Sequence, residues 1–230
     1  TGENYMEKGR VFILGLDGMS WPLMNMLMKR GIFKNLRKIR EKSYMSTLRS
    51  TVPPFTAPAW TSFSTGTTPG RHGVFAFVEP FKSLLNLRPV NARNIRVPMI
   101  HEILEVFNLK YVILNLPMSY PLRIKPKNGI IATSIETPPN KEFIFPKDIS
   151  LRFKGFKEYK VIGNLRFIRE RKYKDLVKDT TYTEKTRLEV AYDIFNEYDW
   201  TLFFVLVLKE KLNLSYRRIV KLIKDLGIHR

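Results

Sequence analysis

The sequence contains no cysteine and only three histidines, His72, His101 and His229, among its 230 residues. The absence of cysteine excludes disulfide bonds and metal sites with thiolate ligands. Because only three histidines are scattered along the chain, we expect no histidine-rich metal centre.

Long apolar segments are also absent. No stretch reaches the roughly 18 consecutive apolar residues that cross a bilayer as a helix. The longest apolar segment, from Trp200 to Leu208, has the length of a β-strand. Residues 1–10 are polar and lack the apolar core of a signal peptide. The sequence therefore predicts no membrane span and a cytoplasmic location.

The protein is strongly basic. It has 40 Lys and Arg residues and 21 Asp and Glu residues, which give a net charge of +19. A solvated basic surface and an attraction for anionic partners both explain this excess. The Lys- and Ile-rich composition without cysteine also hints at a thermophile. Residues 151–175 interleave basic residues with aromatics, as proteins that bind single-stranded nucleic acid do. We favour a packed lobe with the aromatics inside, so nucleic acid is a possible partner but not the favoured one.

Asp17 directly follows an apolar run, residues 11–16, that predicts a buried strand of a parallel sheet. Gly18 follows and allows a sharp turn. Open α/β sheets form their sites at the carboxyl ends of the strands. The sequence therefore predicts a carboxylate at the functional edge of a sheet.

Thr56 comes just before Ala57-Pro58, a predicted helix start with proline in the first turn. The unpaired N–H groups there, among them that of Ala57, and the positive end of the helix favour a bound oxyanion such as phosphate. A hydroxyl beside that anion is a candidate nucleophile. If Thr56 and Asp17 share one metal ion at the same sheet edge, the pKa of the hydroxyl falls.

Three motifs together resemble the type I phosphodiesterase/nucleotide pyrophosphatase family of the alkaline phosphatase superfamily, and its archaeal branch most closely. They are Leu16-Asp17-Gly18, Thr56-Ala57-Pro58 and Thr65-Gly66-x-x-Pro69-x-x-His72-Gly73. The resemblance implies an α/β fold, with a mostly parallel sheet flanked by helices on both faces. It also implies two divalent metal ions, zinc or manganese, and a phosphate-ester small-molecule substrate. By position, Asp17 would bind one ion, and Thr56 would be the nucleophile and a ligand of that ion.

His72 lies close to these residues in the sequence and allows two interpretations. It is either a metal ligand or a structural group near the site that ties down the turn after the predicted helix. We favour the structural role. The resemblance agrees, because this histidine is not one of the usual metal ligands of the family.

The resemblance ends near residue 208, before the positions where the family carries its later Asp-x-x-x-His, Asp-His and His motifs. The sequence has no counterpart of these motifs, so we expect either a truncated or frameshifted copy or a natural short paralogue with an altered site. Asp17 and Thr56 are too few for a catalytic metal, which usually has three protein ligands. Glu79, Glu136 and Glu210 are candidates to supplement them. We therefore predict that one divalent ion at most binds, and weakly.

The predicted fold is a single alkaline phosphatase-like α/β domain over residues 1–230, with a basic helical or loop lobe at about 137–198. His101 is expected on the polar side of a helix over residues 98–107, and residues 117–121 either line the pocket or form a proline-locked loop. Strands are predicted at 11–16, 44–48, 111–116, 129–134 and 201–208, and further helices at 21–29, 33–42, 57–66 and 175–198. Two functions stay open. One is metal-dependent hydrolysis of phosphodiesters or phosphomonoesters by a threonine nucleophile. The other is a catalytically degenerate relative that binds anions, nucleotides or nucleic acid.

Overall fold

The computed structural model describes residues 9–164 and 166–207, apart from the side chains of residues 83, 84 and 207. These residues form two compact units. The first contains the described residues of Thr1–Gly15, Ser50–Arg152 and Glu197–Leu206. The second contains those of Leu16–Arg49, Phe153–Asn196 and Val207–Arg230. The predicted single domain with a basic lobe stays a prediction.

A five-stranded sheet forms the centre of the first unit, in the spatial order β1-β7-β4-β5-β6. Strand β4 pairs in parallel with both β5 and β7, and β6 runs antiparallel to its neighbour β5. The predicted α/β class with a mostly parallel sheet is confirmed. The strands are β1 (Val11–Leu16), β4 (Tyr111–Leu116), β5 (Gly129–Thr133), β6 (Ile144–Phe145) and β7 (Leu202–Val207).

The central strands β4 and β5 are mostly apolar and are covered on both faces. Every residue of β4 and β5 is buried, as is typical of a parallel sheet packed between layers. The core of the first unit extends from these strands to the first turn of a helix at Ala57 and to Met118. Apolar runs of this kind can be recognised as strands from the sequence alone, before the neighbouring strand is known. Four of the five predicted strands are confirmed.

The fifth predicted strand, residues 44–48, is wrong. The structure shows no regular element there, and the side chains of Tyr44 and Leu48 are each 93% exposed. Alternating polarity stabilises a strand only when a neighbouring strand covers one face. None of the described strands pairs with residues 44–48.

The five helices predicted from the sequence are present, with ends within two residues of the predicted ones. Gly31 follows the first helix with a positive φ of 70°, and Gly66 follows the third with a φ of 65°, as left-handed caps require. The helices are α1 (Trp21–Lys29), α2 (Lys34–Glu41), α3 (Thr56–Thr65), α4 (Pro69–His72), α5 (Ile100–Val106), α6 (Ile149–Arg152), α7 (Arg166–Arg169) and α8 (Tyr173–Glu197).

A two-stranded antiparallel hairpin, β2 (Val78–Phe81) and β3 (Ser83–Pro89), also belongs to the first unit. The side chain of Glu79 in β2 accepts hydrogen bonds from Arg88 Nε at 2.7 Å and from Asn94 Nδ2 at 3.2 Å. These contacts link the hairpin to the turn that follows it.

In the second unit, the long helix α8 packs against the loop that precedes it. The loop aromatics Phe153, Phe156 and Tyr159 are buried, as the packed-lobe interpretation predicts, whereas Tyr173 is 62% exposed, contrary to it. Arg187 in α8 is also buried and pairs with Glu184 at 2.7 Å. Its guanidinium donates further hydrogen bonds to the loop carbonyls of residues 160 and 161. No helix within the described residues is long and apolar enough to cross a membrane.

Candidate active site

Asp17 lies immediately after β1, in a two-residue turn with Gly18. The turn is possible because Gly18 adopts a positive φ of 65°. The N–H of Met19 donates to the carbonyl of Leu16 at 3.3 Å and closes the turn. The Asp17 side chain is half-buried, and no described residue forms an ion pair or a hydrogen bond with it. A carboxylate of this kind is available to a ligand.

Thr56 is the first residue of α3 and not, as predicted, the residue before it. The position before the helix is taken by Phe55, which has an extended backbone. The Thr56 side chain is half-buried, and its hydroxyl has no hydrogen-bond partner among the described residues. Thr56 thus combines an accessible hydroxyl with the positive end of a helix.

The amide donors at this helix start are few. Pro58 has no N–H, and the N–H of Ala59 already donates to the carbonyl of Phe55 at 3.1 Å. The remaining donors are the N–H groups of Thr56 and Ala57. Ala57 is completely buried in the core, so an anion would have to approach from the side of Thr56. Binding of phosphate at Ala57 stays a prediction.

Trp60 holds α3 against the carboxyl ends of two strands. Its ring lies edge-on to Phe204 of β7, with the ring centroids 5.8 Å apart. A Cβ atom at Gly15 of β1 would stand 2.8 Å from Trp60 Cη2 and 2.7 Å from Leu206 Cδ1. Only glycine allows this close approach at residue 15. The start of α3 is therefore fixed relative to the end of β1 within the first unit.

His72 braces the same helix from the other side. Its Nδ1 accepts a hydrogen bond from the N–H of Val74 at 3.1 Å, so the proton resides on Nε2. Nε2 is 2.9 Å from Ser62 Oγ in α3. Burial lowers the pKa of His72, although a hydrogen bond to the carbonyl of Pro58 opposes this effect. Both ring nitrogens are therefore occupied by protein groups, and the imidazole is neutral near pH 7.

The loop after β4 meets the end of β5 through Glu136. Met118 in this loop has a positive φ of 64°, and its N–H donates to Glu136 Oε1 at 2.8 Å. The second carboxylate oxygen, Oε2, is buried without a hydrogen-bond partner among the described residues. Burial accordingly raises the pKa of Glu136 to about 7, against the opposing effect of the Met118 N–H.

Glu136 and Tyr120 also line a pocket of about 350 Å³, which is within the size range of small-molecule sites. Neither Thr56 nor Ala57 nor His72 lines this pocket, so the predicted role of residues 117–121 in lining the pocket of the catalytic site stays a prediction. The other lining residues are Phe77, Pro89, Val90, Asn91, Ile135 and Pro138. The sequence named Glu136 only as one of several nearby acids, although its position just after a parallel strand resembles that of Asp17.

The other two acids proposed as supplementary ligands do not join this pocket. Glu79 is engaged by Arg88 and Asn94 in the hairpin, and Glu210 lies outside the described residues. Within residues 9–164 and 166–207, no three His, Asp or Glu side chains converge as a metal site would require.

The structure brings together Thr56, Ala57 and His72, which all belong to the first unit. Asp17 belongs to the second unit, and its sharing of a metal ion with Thr56 stays a prediction. His101, expected on the polar side of its helix, is instead 2% exposed. Its Nδ1 has no hydrogen-bond partner in the described part of the chain, and burial lowers its pKa to about 4.

Comparison with known families places these residues in context. Residues 11–88, from β1 to β3 and including Asp17, Thr56 and His72, match the family described as type I phosphodiesterase/nucleotide pyrophosphatase. This match covers about a third of the chain. The type I phosphodiesterases are phosphoester hydrolases of the alkaline phosphatase superfamily, and they typically use metal ions.

Solved structures extend the similarity over nearly the whole chain. Phosphonoacetate hydrolase from Sinorhizobium meliloti 1021, in complexes with phosphonoformate and with phosphonoacetate, superimposes with a TM-score of 0.68 at 14% identity. The superposition covers 96% of this chain and 53% of the hydrolase. The chain therefore has the alkaline phosphatase-like fold and spans about half the length of these similar structures. No curated protein matches the sequence significantly.

The described residues fit the metal ions of the type I phosphodiesterases only in part. Asp17 supplies one carboxylate and Thr56 a neutral hydroxyl, whereas a tightly held catalytic ion usually has three protein ligands. Because affinity depends on how many deprotonated groups converge, this pair alone does not make a tight site.

Proposed function

We propose that the chain is a phosphoester hydrolase in which Thr56 is the nucleophile. The observation that carries the proposal is the hydroxyl of Thr56, which has no protein partner in the described part of the chain and stands at the first residue of α3. The contacts of Trp60 and His72 with α3 support it, because a catalytic group must be held in place by rigid surroundings.

In the proposed reaction, Thr56 Oγ forms a bond to phosphorus while the bond from phosphorus to the leaving oxygen breaks. The hydroxyl proton and the leaving oxygen end together as an alcohol, and water then hydrolyses the phosphothreonine to restore the hydroxyl. The N–H groups and the positive end of α3 stabilise the negative charge that develops at phosphorus. The substrate class is a small phosphate ester.

Asp17 is the proposed ligand for a divalent ion, zinc or manganese. Such an ion supplies positive charge to the phosphate oxygens when it is bound. The match of residues 11–88 to the type I phosphodiesterases supports this assignment, as does the absence of a protein partner for the Asp17 carboxylate among the described residues.

The test is hydrolysis of bis-p-nitrophenyl phosphate and of nucleotides in the presence of zinc, manganese or magnesium. We expect turnover by the wild type and a loss of about a thousandfold or more in the Thr56→Ala variant, because the nucleophile is gone. Thr68→Ala is the matched control, since the Thr68 side chain makes no cap hydrogen bond at the start of α4. Equal turnover by Thr56→Ala and wild type would remove Thr56 from the mechanism.

A second candidate is a relative that binds anions without turnover. Two observations favour it: no three ligands for a metal converge within the described residues, and the net charge is +19. This candidate predicts affinity for phosphate, nucleotides or nucleic acid with no product at any metal concentration. Affinity for nucleic acid would fall steeply with salt, because bound counterions are released. Turnover that depends on Thr56 would refute this alternative.

A further inference from the structure

A basic cleft lies between the first two helices of the second unit, outside the residues that the proposed reaction uses. Helix α1 ends at Lys29, the chain turns at Gly31, and α2 begins at Lys34. The cleft encloses about 540 Å³, which is within the size range of ligand pockets. Its lining residues are Asn25, Met28, Lys29, Arg37, Arg40 and Glu41.

The cleft carries an excess of positive charge. Arg37 and Arg40 are three positions apart on α2, so their side chains emerge on the same face. Lys29 contributes a third cation from the last turn of α1. Glu41 is the only acid among the lining residues. Its carboxylate lies 3.4 Å from Arg37 Nε, and both side chains are more than 60% exposed. An ion pair as exposed as this one neutralises the cleft only weakly.

Arg40 is already held in a position to bind a ligand. Its Nη1 donates to Asn25 Oδ1 of α1 at 2.9 Å. A guanidinium has five N–H donors, and this bond uses one of them. Because the side chain is tethered, less rotamer entropy remains to be lost when an anion binds. The planar group matches two oxygens of a phosphate or carboxylate at once.

The floor of the cleft is apolar. Met28 is 4% exposed and closes the bottom between the two helices. The cleft thus offers cationic walls at its rim and a small apolar surface below, which together suit a compact ligand with an anionic head. Three like charges around one cavity also repel one another, and a bound anion relieves that repulsion.

We propose that the basic cleft is a binding site for a small phosphate compound that carries at least two negative charges. Arg40 and Arg37 bind the phosphate oxygens, and Lys29 adds charge from the opposite helix. The same chemistry occurs in soluble polyphosphates and in the phosphorylated headgroups of lipids. Binding at this site requires neither Thr56 nor Asp17.

The experiment is a calorimetric titration of the full chain with inorganic pyrophosphate at fixed ionic strength, carried out for two pairs of variants. Arg37→Gln and Arg40→Gln each remove one cation from the cleft. Arg30→Gln and Lys38→Gln each remove one exposed cation of the same two-helix segment that does not line the cleft. All four variants lower the net charge equally, so a general attraction of the +19 protein for anions affects them alike. Circular dichroism checks that each variant is folded.

We expect the dissociation constant for pyrophosphate to rise about tenfold or more in each cleft variant and less than twofold in each control. Arg40→Lys should give an intermediate loss, because it keeps the charge but not the paired donors. The Nε–H resonance of Arg40 should shift on titration. Equal affinities in the cleft and control variants, or no binding by the wild type, would overturn the proposal. Because Thr56 stays intact in every variant, a failure here leaves the hydrolase proposal unaffected.

Co-sedimentation with vesicles separates the two sources of phosphate. Neutral phosphatidylcholine vesicles are compared with vesicles that also contain phosphatidylinositol 4-phosphate. If the protein binds pyrophosphate and ignores both kinds of vesicle, the ligand is a soluble phosphate compound. Binding to the phosphorylated vesicles that Arg40→Gln abolishes and Arg30→Gln preserves assigns a lipid headgroup. Vesicle binding that both variants retain would contradict a role for the cleft in membrane attachment.

Discussion

Replacement of Glu136 by glutamine tests the electrostatics of the pocket beside the β4 and β5 ends. Burial raises the pKa of Glu136 from 4.5 to about 7, since one carboxylate oxygen has no partner in the described structure. Between pH 4.5 and about 7, the Glu136 carboxyl therefore keeps its proton in the folded protein, whereas it has lost that proton in the unfolded chain. Stability is fully present below pH 4.5 and declines as the pH rises through 7.

The size of the effect follows from the pKa difference. One pH unit corresponds to about 1.4 kcal/mol, so the charged carboxylate costs the folded state up to about 3 kcal/mol above pH 7. Glu136→Gln is always neutral, and its amide oxygen still accepts the hydrogen bond from Met118. The variant should therefore gain up to about 3 kcal/mol relative to the wild type between pH 4.5 and 8.

The assay is urea unfolding of the wild type and of Glu136→Gln at a series of pH values, analysed as the difference between the two proteins. The difference is needed because His101 makes the stability depend on pH with the opposite sign. Both proteins contain His101, so its contribution cancels in the difference between them. Glu142→Gln is the matched control, because Glu142 lies in the same connection after β5 and is exposed. A difference that does not change with pH, or a Glu136 carboxyl carbon that titrates below pH 5 by NMR, would refute the reasoning.

The remaining predictions concern acid stability, packing and metal content. Burial lowers the pKa of His101 from 6.5 to about 4. Between these pH values the unfolded chain binds a proton at His101 that the folded protein does not, so stability falls as the pH drops from 6.5 to 4. His101→Phe should flatten this decline in acid unfolding curves, and an unchanged decline would contradict the assignment. Gly129→Ala should lower the melting temperature, because the new Cβ would stand 2.3 Å from the Tyr111 ring; a melting temperature like that of the exposed control Gly70→Ala would refute the clash. Metal analysis of protein purified without chelator should find at most one weakly held divalent ion per chain, and two tightly bound equivalents would contradict that expectation.

Sequence reasoning succeeded where local pattern and burial coincide. The strands β4, β5 and β7 are largely apolar runs, and such runs are typical of strands covered on both faces. The prediction of a buried strand over residues 11–16 is right in its position but wrong in its burial: β1 lies at the edge of the described sheet, only Gly15 in it is buried, and Val11 is 51% exposed. Helix α1 was predicted with the bounds that it has, since Pro22 opens it and Gly31 stops it by local chain geometry.

The same reasoning failed where a neighbour decides the outcome. Residues 44–48 alternate like a strand, but within the described chain no strand pairs with them. In helix α5, Ile103 is 42% exposed, whereas His101, which was expected on the polar side, is buried. Which face of a short helix is buried depends on the elements packed around the helix and not on the spacing of its own apolar residues.

The sequence by itself determined the resemblance to the type I phosphodiesterases over residues 11–88, because the Asp17, Thr56 and His72 motifs depend only on residue identity and order along the chain. It also determined that Asp17 follows a strand and that Thr56 stands at a helix start, since both rest on local signals. Only the tertiary structure decided that His72 braces α3 through Ser62 and that Glu136 holds the loop after β4 through Met118. The first contact joins two residues that are 10 positions apart in the sequence, and the second joins two that are 18 positions apart. Neither the helix period nor the strand period connects positions with these separations. Their energetics depend on burial, which the folded packing creates and the linear sequence does not specify.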